Sequence, residues 1–113
     1  MTNITFNSKE TYLAYRSAWK AEYKKLSAEI RTLRLADRFY QRSQLAGLPL
    51  TEGEGRCLAL AKEVCGGEPL SLHLMAFNRR RRSARATEML AELKEAKNEA
   101  QRQYLAKKGA ETA

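Results

Sequence analysis

Apolar and aromatic residues return every seven positions from Tyr12 through Trp19, Leu26, Leu33 and Tyr40, with Tyr23 and Ile30 between them. A seam of this kind, interrupted by Arg16, Asp37 and Gln44, marks one long helix that buries a single stripe against a partner. Asn7 followed by Glu10 has capping-box spacing, and Phe6 just outside is placed to fold back on the first turn, so the helix is expected from about residue 8. Gly47 offers a left-handed cap and Pro49 forbids continuation, which sets the end near residue 46. Met1 to Phe6 read as a lead-in.

Thr51 and Glu54 repeat the capping-box spacing ahead of Cys57, Leu58, Ala61 and Val64, and Gly66-Gly67 follow. These signals predict a short helix over about residues 52–65, with a first turn weakened by Gly53 and Gly55. Ser71 is placed to cap a third helix, expected over about residues 71–108 and stopping before Gly109. Its apolar positions are Leu72, Met75, Ala86, Met89, Leu90, Leu93, Ala96, Ala100 and Tyr104. Asn78 is its candidate kink or break.

Neither long helix can hide its stripe alone. The economical fold is all-α: an antiparallel, coiled-coil-like hairpin of two long helices, with the short helix in the connection and residues 1–113 as a single domain. The path of the 47–70 connector stays open. Its segment from Gly47 to Pro69 is net negative and reads as a covering helix within a connection.

Charge adds a second pattern. At about 100° per residue, Lys9, Arg16, Lys20, Lys24, Arg31, Arg34, Arg38 and Arg42 share a sector of about 80°, a stripe about 50 Å long from which only Lys25 departs. Random placement would scatter the charges, so the stripe is a specific feature of the pattern; the alternative is a solvated face whose stems cover the seam's edge. The run Asn78-Arg79-Arg80-Arg81-Arg82-Ser83-Ala84-Arg85 then puts five guanidinium groups into seven positions. In an antiparallel hairpin, Arg34, Arg38 and Arg42 come level with Arg79 to Arg85 and form one positive patch at the closed end.

Arg79 and Arg82 fall on or near the seam, whereas Arg80, Arg81 and Arg85 point elsewhere. An unpaired buried guanidinium costs several kcal/mol. Asp37 on the facing seam is a candidate partner for one of them. Two local readings stay open: a buried Arg–Asp contact that fixes register, or an end that opens around an anionic ligand.

The candidate binding residues are therefore Arg34, Arg38, Arg42, Asn78, Arg79, Arg80, Arg81, Arg82 and Arg85, with Arg16, Lys20, Lys24 and Arg31 as a secondary stripe. A net charge of +8 directs them to nucleic acid (RNA or DNA), a nucleoprotein complex or an acidic protein surface. Glu88, Glu92, Glu95 and Glu99 form an acidic row on the third helix, expected as a solvated face. It is also a surface through which a homodimer would pair with the basic stripe. No run reaches the roughly 20 apolar residues of a membrane span, and the N-terminus lacks signal-peptide order, so no membrane and a cytoplasmic location are expected.

Catalytic signals are absent from the sequence. His73 is the lone histidine, Gly66-Gly67 lack the Lys-Ser/Thr sequel of a phosphate loop, and no carboxylates form a recognisable pair. Cys57 and Cys65 have neither CxxC spacing nor companions for zinc. Within one helix they stand about 12 Å apart, beyond disulfide reach, and read as small apolar residues in a reducing compartment. The expectation is a non-enzymatic binding protein with no metal and no cofactor, its arginine-rich end engaging nucleic acid or a ribonucleoprotein.

The segments YLAYR from Tyr12 with Trp19-Lys20, and MLAELKEAKNEAQRQYLA from Met89, resemble small helical proteins carried by bacterial phages, plasmids and integrated elements. The likeness covers the two long helices and has no counterpart around Cys57 to Pro69. It implies a setting in which small basic proteins act as regulators or as inhibitors of host defence, anti-CRISPR proteins among them. On that alternative the chain binds a protein partner and blocks its nucleic-acid contacts. The resemblance assigns no role to any single residue.

Overall fold

A computed structural model describes residues 9–112, and the side chains of residues 9–103. The expected cap at Asn7, the lead-in from Met1 to Phe6 and the side chain of Tyr104 lie outside the described residues. Those described form three helices and no strand: α1 (Lys9–Tyr40), extended by a π-helical turn at Gln41–Leu45, α2 (Glu52–Val64) and α3 (Leu72–Thr112). The two long helices, α1 and α3, pack against each other, and both contribute to each of two compact units.

The unit formed by Lys24–Ala86 holds the larger core. Leu33 and Ala36 of α1, Ala61 of α2, Cys65 and Met75 of α3 are buried together, ringed by Tyr40, Cys57, Leu58, Val64, Leu70, Leu72 and Leu74. Two alanines at the centre let the helix backbones approach closely, while Leu33 and Met75 supply the bulk. Truncating either to Ala removes side-chain volume from a site with no exposure to relax into, at a cost of about 2–5 kcal/mol.

Local chemistry sets the ends of α2. The Thr51 hydroxyl accepts from the Glu54 backbone N–H at 3.2 Å, and Glu54 Oε1 accepts from the Thr51 N–H at 2.9 Å. That reciprocal box satisfies two donors the helix start would otherwise leave open. At the other end Gly66 and Gly67 take φ of 86° and 83° and return their N–H groups to Glu63 O and Lys62 O.

The first helix departs from the expected α-helix to residue 46. It changes at Tyr40 to a turn in which the Ala46 N–H reaches Gln41 O, five residues back, before Gly47 closes it at φ 68°. A π turn admits an extra residue and so rotates everything after it relative to an α-helix. Asp37 tethers the turn on one side by accepting from Gln41 Nε2 at 2.5 Å, and Arg42 is held on the other by Glu54.

At the start of α3 the Ser71 hydroxyl accepts the Leu74 N–H at 3.0 Å. Asn78 produces no break. Its Nδ2 donates to Leu74 O at 2.9 Å, one turn back, and the helix continues through Gly109 to Thr112.

The second unit combines Met1–Tyr23 with Thr87–Ala113. Trp19 is its anchor: the buried indole Nε1 donates to Met89 O at 2.7 Å and its ring stacks on Tyr23 at 4.7 Å. Met89 and Ala96, seven residues apart, are buried on α3. Leu90, expected on that face, is 50% exposed. It lies about 100° around the helix from Met89, too far to share the line that Met89 and Ala96 define.

Candidate functional site

The arginine run divides according to the seam. Met75, Arg82, Met89 and Ala96 succeed one another every seven residues, so Arg82 occupies a core position and needs internal partners. It has them. Arg82 Nε donates to Glu29 Oε2 at 2.8 Å, Nη1 to Asn78 Oδ1 at 3.0 Å and to Asn78 O at 3.3 Å, and Nη2 to Val64 O at 3.1 Å. One planar guanidinium thereby joins α1, the open carbonyl end of α2 and α3, a use of its fixed fork that a lysine cannot reproduce.

Arg79 is half-buried with Nη1 3.8 Å from Asp37 Oδ2: the expected Arg–Asp pairing is present, but both side chains stay partly exposed, so it is not the buried contact that was one of the two local expectations. Arg42, expected at the patch, is instead paired with Glu54 of α2, and its guanidinium also lies 5.8 Å from the Phe39 ring. Arg42 lies within the π turn, and Glu54 near the start of α2 is the carboxylate it meets. Glu54 sits below the ordinary carboxylate range. The Thr51 backbone N–H contributes most to that lowering, followed by the Thr51 side chain and Arg42. Asn78, a candidate for ligand contact, spends both ends of its amide on Leu74 O and Arg82.

Other candidates remain outward. Arg34 and Arg38 on α1 and Arg80 on α3 are exposed and have no carboxylate or other polar partner among the described residues. Arg81 is exposed with its guanidinium over the Phe77 ring at 5.8 Å. Arg85 is half-buried and has a partner. Of the secondary stripe, Lys24 and Arg31 are exposed in the same unit as the arginine run, while Arg16 and Lys20 are exposed in the other unit.

The acidic row of α3 is largely engaged. Glu88 and Glu92 each have a partner, and Glu99 accepts from Arg102 at 2.6 Å and from Gln103 at 3.1 Å. Cys57 and Cys65 are free thiols, and burial pushes both above the ordinary thiol range. The Cys57 thiol points to Thr32 O at 3.7 Å. No helix among the described residues is long and apolar enough to cross a membrane.

Sequence reasoning missed Glu29 and Phe77, and read Glu54 as the cap of α2 without its pairing to Arg42. Glu29 and Ala36 share a seven-residue spacing on α1, a signal that the carboxylate borders the seam. Phe77 stands two residues from Met75 and so on the opposite side of the helix, an aromatic off the seam beside four arginines. Compared with protein-family models, curated proteins and solved structures, the chain finds no match.

Proposed function

We propose that the chain is a non-enzymatic binding protein that engages nucleic acid, free or within a ribonucleoprotein, through the outward arginines of the Lys24–Ala86 unit. The observation that carries this is the division of labour among the arginines of this unit. Arg79 and Arg82 are held by carboxylates at the helix contact, whereas Arg34, Arg38 and Arg80 are exposed with no partner among the described residues. Guanidinium groups already paired have part of their charge and donor capacity committed to a carboxylate and offer less to a phosphate. Unpaired ones on stiff helices release counterions on binding and have little left to reorganise.

An antiparallel arrangement of α1 and α3 within this unit is part of the proposal. Glu29 meets Arg82 while Asp37 meets Arg79, so the later position on α1 faces the earlier one on α3. Arg82 also reaches α2, which places the Glu29 pair on the side that α2 covers. At about 100° per residue, the Asp37 pair then lies on the opposite side of the helix contact. Arg34 and Arg38 flank that open side on α1, and Arg80 flanks it on α3. The result is a basic face with an ion pair at its floor.

Phosphate contacts of this type fix a polyanion in place and carry no sequence information by themselves. The test is charge reversal at Arg80 and Arg81, both exposed, so that the fold is retained. Arg80→Glu with Arg81→Glu should abolish binding to labelled RNA or DNA in fluorescence anisotropy and flatten its salt dependence. Unchanged affinity would discard the proposal.

A further inference from the structure

We infer that the outer face of α3 carries a stacking site for unpaired bases, centred on Phe77, and that the preferred nucleic acid is single-stranded. This site rests on the nucleic-acid function proposed above and narrows its ligand. Phe77 is 46% exposed. Two residues past the fully buried Met75, it has turned about 200° around the helix and faces away from the seam.

Its surroundings separate it from the other exposed apolar residues. Leu13, Leu35, Leu45, Leu48, Leu60 and Leu90 are aliphatic; Phe77 is the aromatic member of that set. Arg81, one turn on, lies with its guanidinium carbon 5.8 Å from the ring centroid, and Arg80 stands beside it without a partner among the described residues. His73, one turn before Phe77, and Ala84, seven residues after it, are exposed on the same face. The small Ala84 side chain leaves the ring approachable along the helix.

A flat hydrophobic ring flanked by cations matches the two halves of a nucleotide. The base stacks on the ring, with the guanidinium adding cation–π attraction, and the phosphate meets the neighbouring arginine. A duplex keeps its bases stacked on one another and offers the ring no open face, so the occupant is an unpaired strand. Among the described residues, the other aromatic side chains are less exposed. Trp19 is buried, and Tyr12, Tyr15, Tyr23, Phe39 and Tyr40 are all half-buried. Stacking and phosphate contact therefore come from a single face, with Arg80 lying between the ring and the basic surface that Arg34 and Arg38 border.

The experiment is fluorescence anisotropy of the intact chain with labelled single strands of about twelve nucleotides, as RNA and as DNA, and with a duplex of the same composition. Phe77→Leu keeps the apolar bulk at an exposed position, and Phe77→Trp keeps the stacking surface. The native chain should prefer single strand to duplex. Phe77→Leu should weaken single-strand binding about tenfold with the salt slope unchanged, and Phe77→Trp should restore it. The RNA and DNA arms separate any 2′-hydroxyl contact from stacking common to both. Native affinity of Phe77→Leu for single strands, or equal native affinity for duplex, overturns the stacking site and leaves the electrostatic function standing. If the native chain binds none of these probes, both fall.

Discussion

Replacing Arg82 tests whether the arginine run is divided between structure and surface. In Arg82→Ala, Glu29 loses its cation, Val64 O loses its donor at the end of α2, and Asn78 loses the group that holds its amide oxygen. A hydrogen bond to a charged group contributes about 1.5–3 kcal/mol, and each neutral acceptor adds about 0.5–1.5 kcal/mol. The side chains of Arg82 and Glu29 are 20% and 22% exposed, so water replaces part of what is lost. The expected destabilisation is about 3 kcal/mol, at the lower edge of the range for breaking a buried pair. Arg82→Lys keeps a charge near Glu29 but not the fork that reaches both Val64 O and Asn78, and should cost about half as much. Arg80→Ala, at an exposed site, should fall within about 0.5 kcal/mol of native. Urea unfolding followed by circular dichroism measures all three, with an unchanged m-value showing that the unfolding reaction is the same. A double-mutant cycle with Glu29→Gln should return a coupling of about 1 kcal/mol or more. If Arg82→Ala is no more damaging than Arg80→Ala, the three-helix clamp does not exist.

Further outcomes follow from the other contacts. Thr51→Ala removes the α2 cap and should cost about 1 kcal/mol, measured by the same unfolding. Because the native pKa of Glu54 is depressed, its contribution is present above the ordinary glutamate pKa and is lost as pH falls below it; carboxyl NMR titration should show that pKa rising toward ordinary in Thr51→Ala. Arg34→Ala and Arg38→Ala should each lower nucleic-acid affinity and reduce the salt slope by about 0.7–0.9, whereas Arg42→Ala, already committed to Glu54, should leave the slope unchanged. Burial that raises both thiols disfavours the thiolate, so alkylation followed by mass spectrometry should be slow at neutral pH, with buried Cys65 behind half-buried Cys57, and should become fast only in denaturant.

Features that depend on neighbours in the chain are legible in the sequence. The Thr51–Glu54 box needs only a spacing of three, and the burial of Trp19 and Leu33 needs only a repeat of seven. Placement of Arg79 and Arg82 near the seam was legible for the same reason, and so was Asp37 as a candidate partner. What could not be read depends on register between distant segments. Glu29 finds Arg82 across 53 residues, and a shift of one residue on either helix would have moved the carboxylate off that contact. Arg42 was misplaced because its partner Glu54 belongs to a helix whose position no local pattern fixes. Leu90 was assigned to the buried face because an apolar residue next to Met89 satisfies a loose helical pattern; the narrower line through Met89 and Ala96 excludes it. Phe77 was passed over because a search for core residues ignores an aromatic that falls off the stripe.

These outcomes also separate two explanations of the same positive charge. If the arginines served only to keep the surface solvated, exposed and clamped positions would differ in stability alone. A phosphate-binding face makes them differ in opposite directions: outward positions govern binding and leave folding intact, while Arg82 governs folding.

The most direct measurement is therefore a salt titration of single-strand binding by the native chain and by the double variant Arg34→Ala with Arg80→Ala. Three outward arginines, Arg34, Arg38 and Arg80, in contact with phosphates predict a slope of log affinity against log salt of about −2 between about 50 and 200 mM, reduced by about 1.4 in the double variant with its unfolding free energy unchanged. A native slope near zero, or a slope that the double variant leaves untouched, would contradict the assignment of these side chains to a nucleic-acid surface.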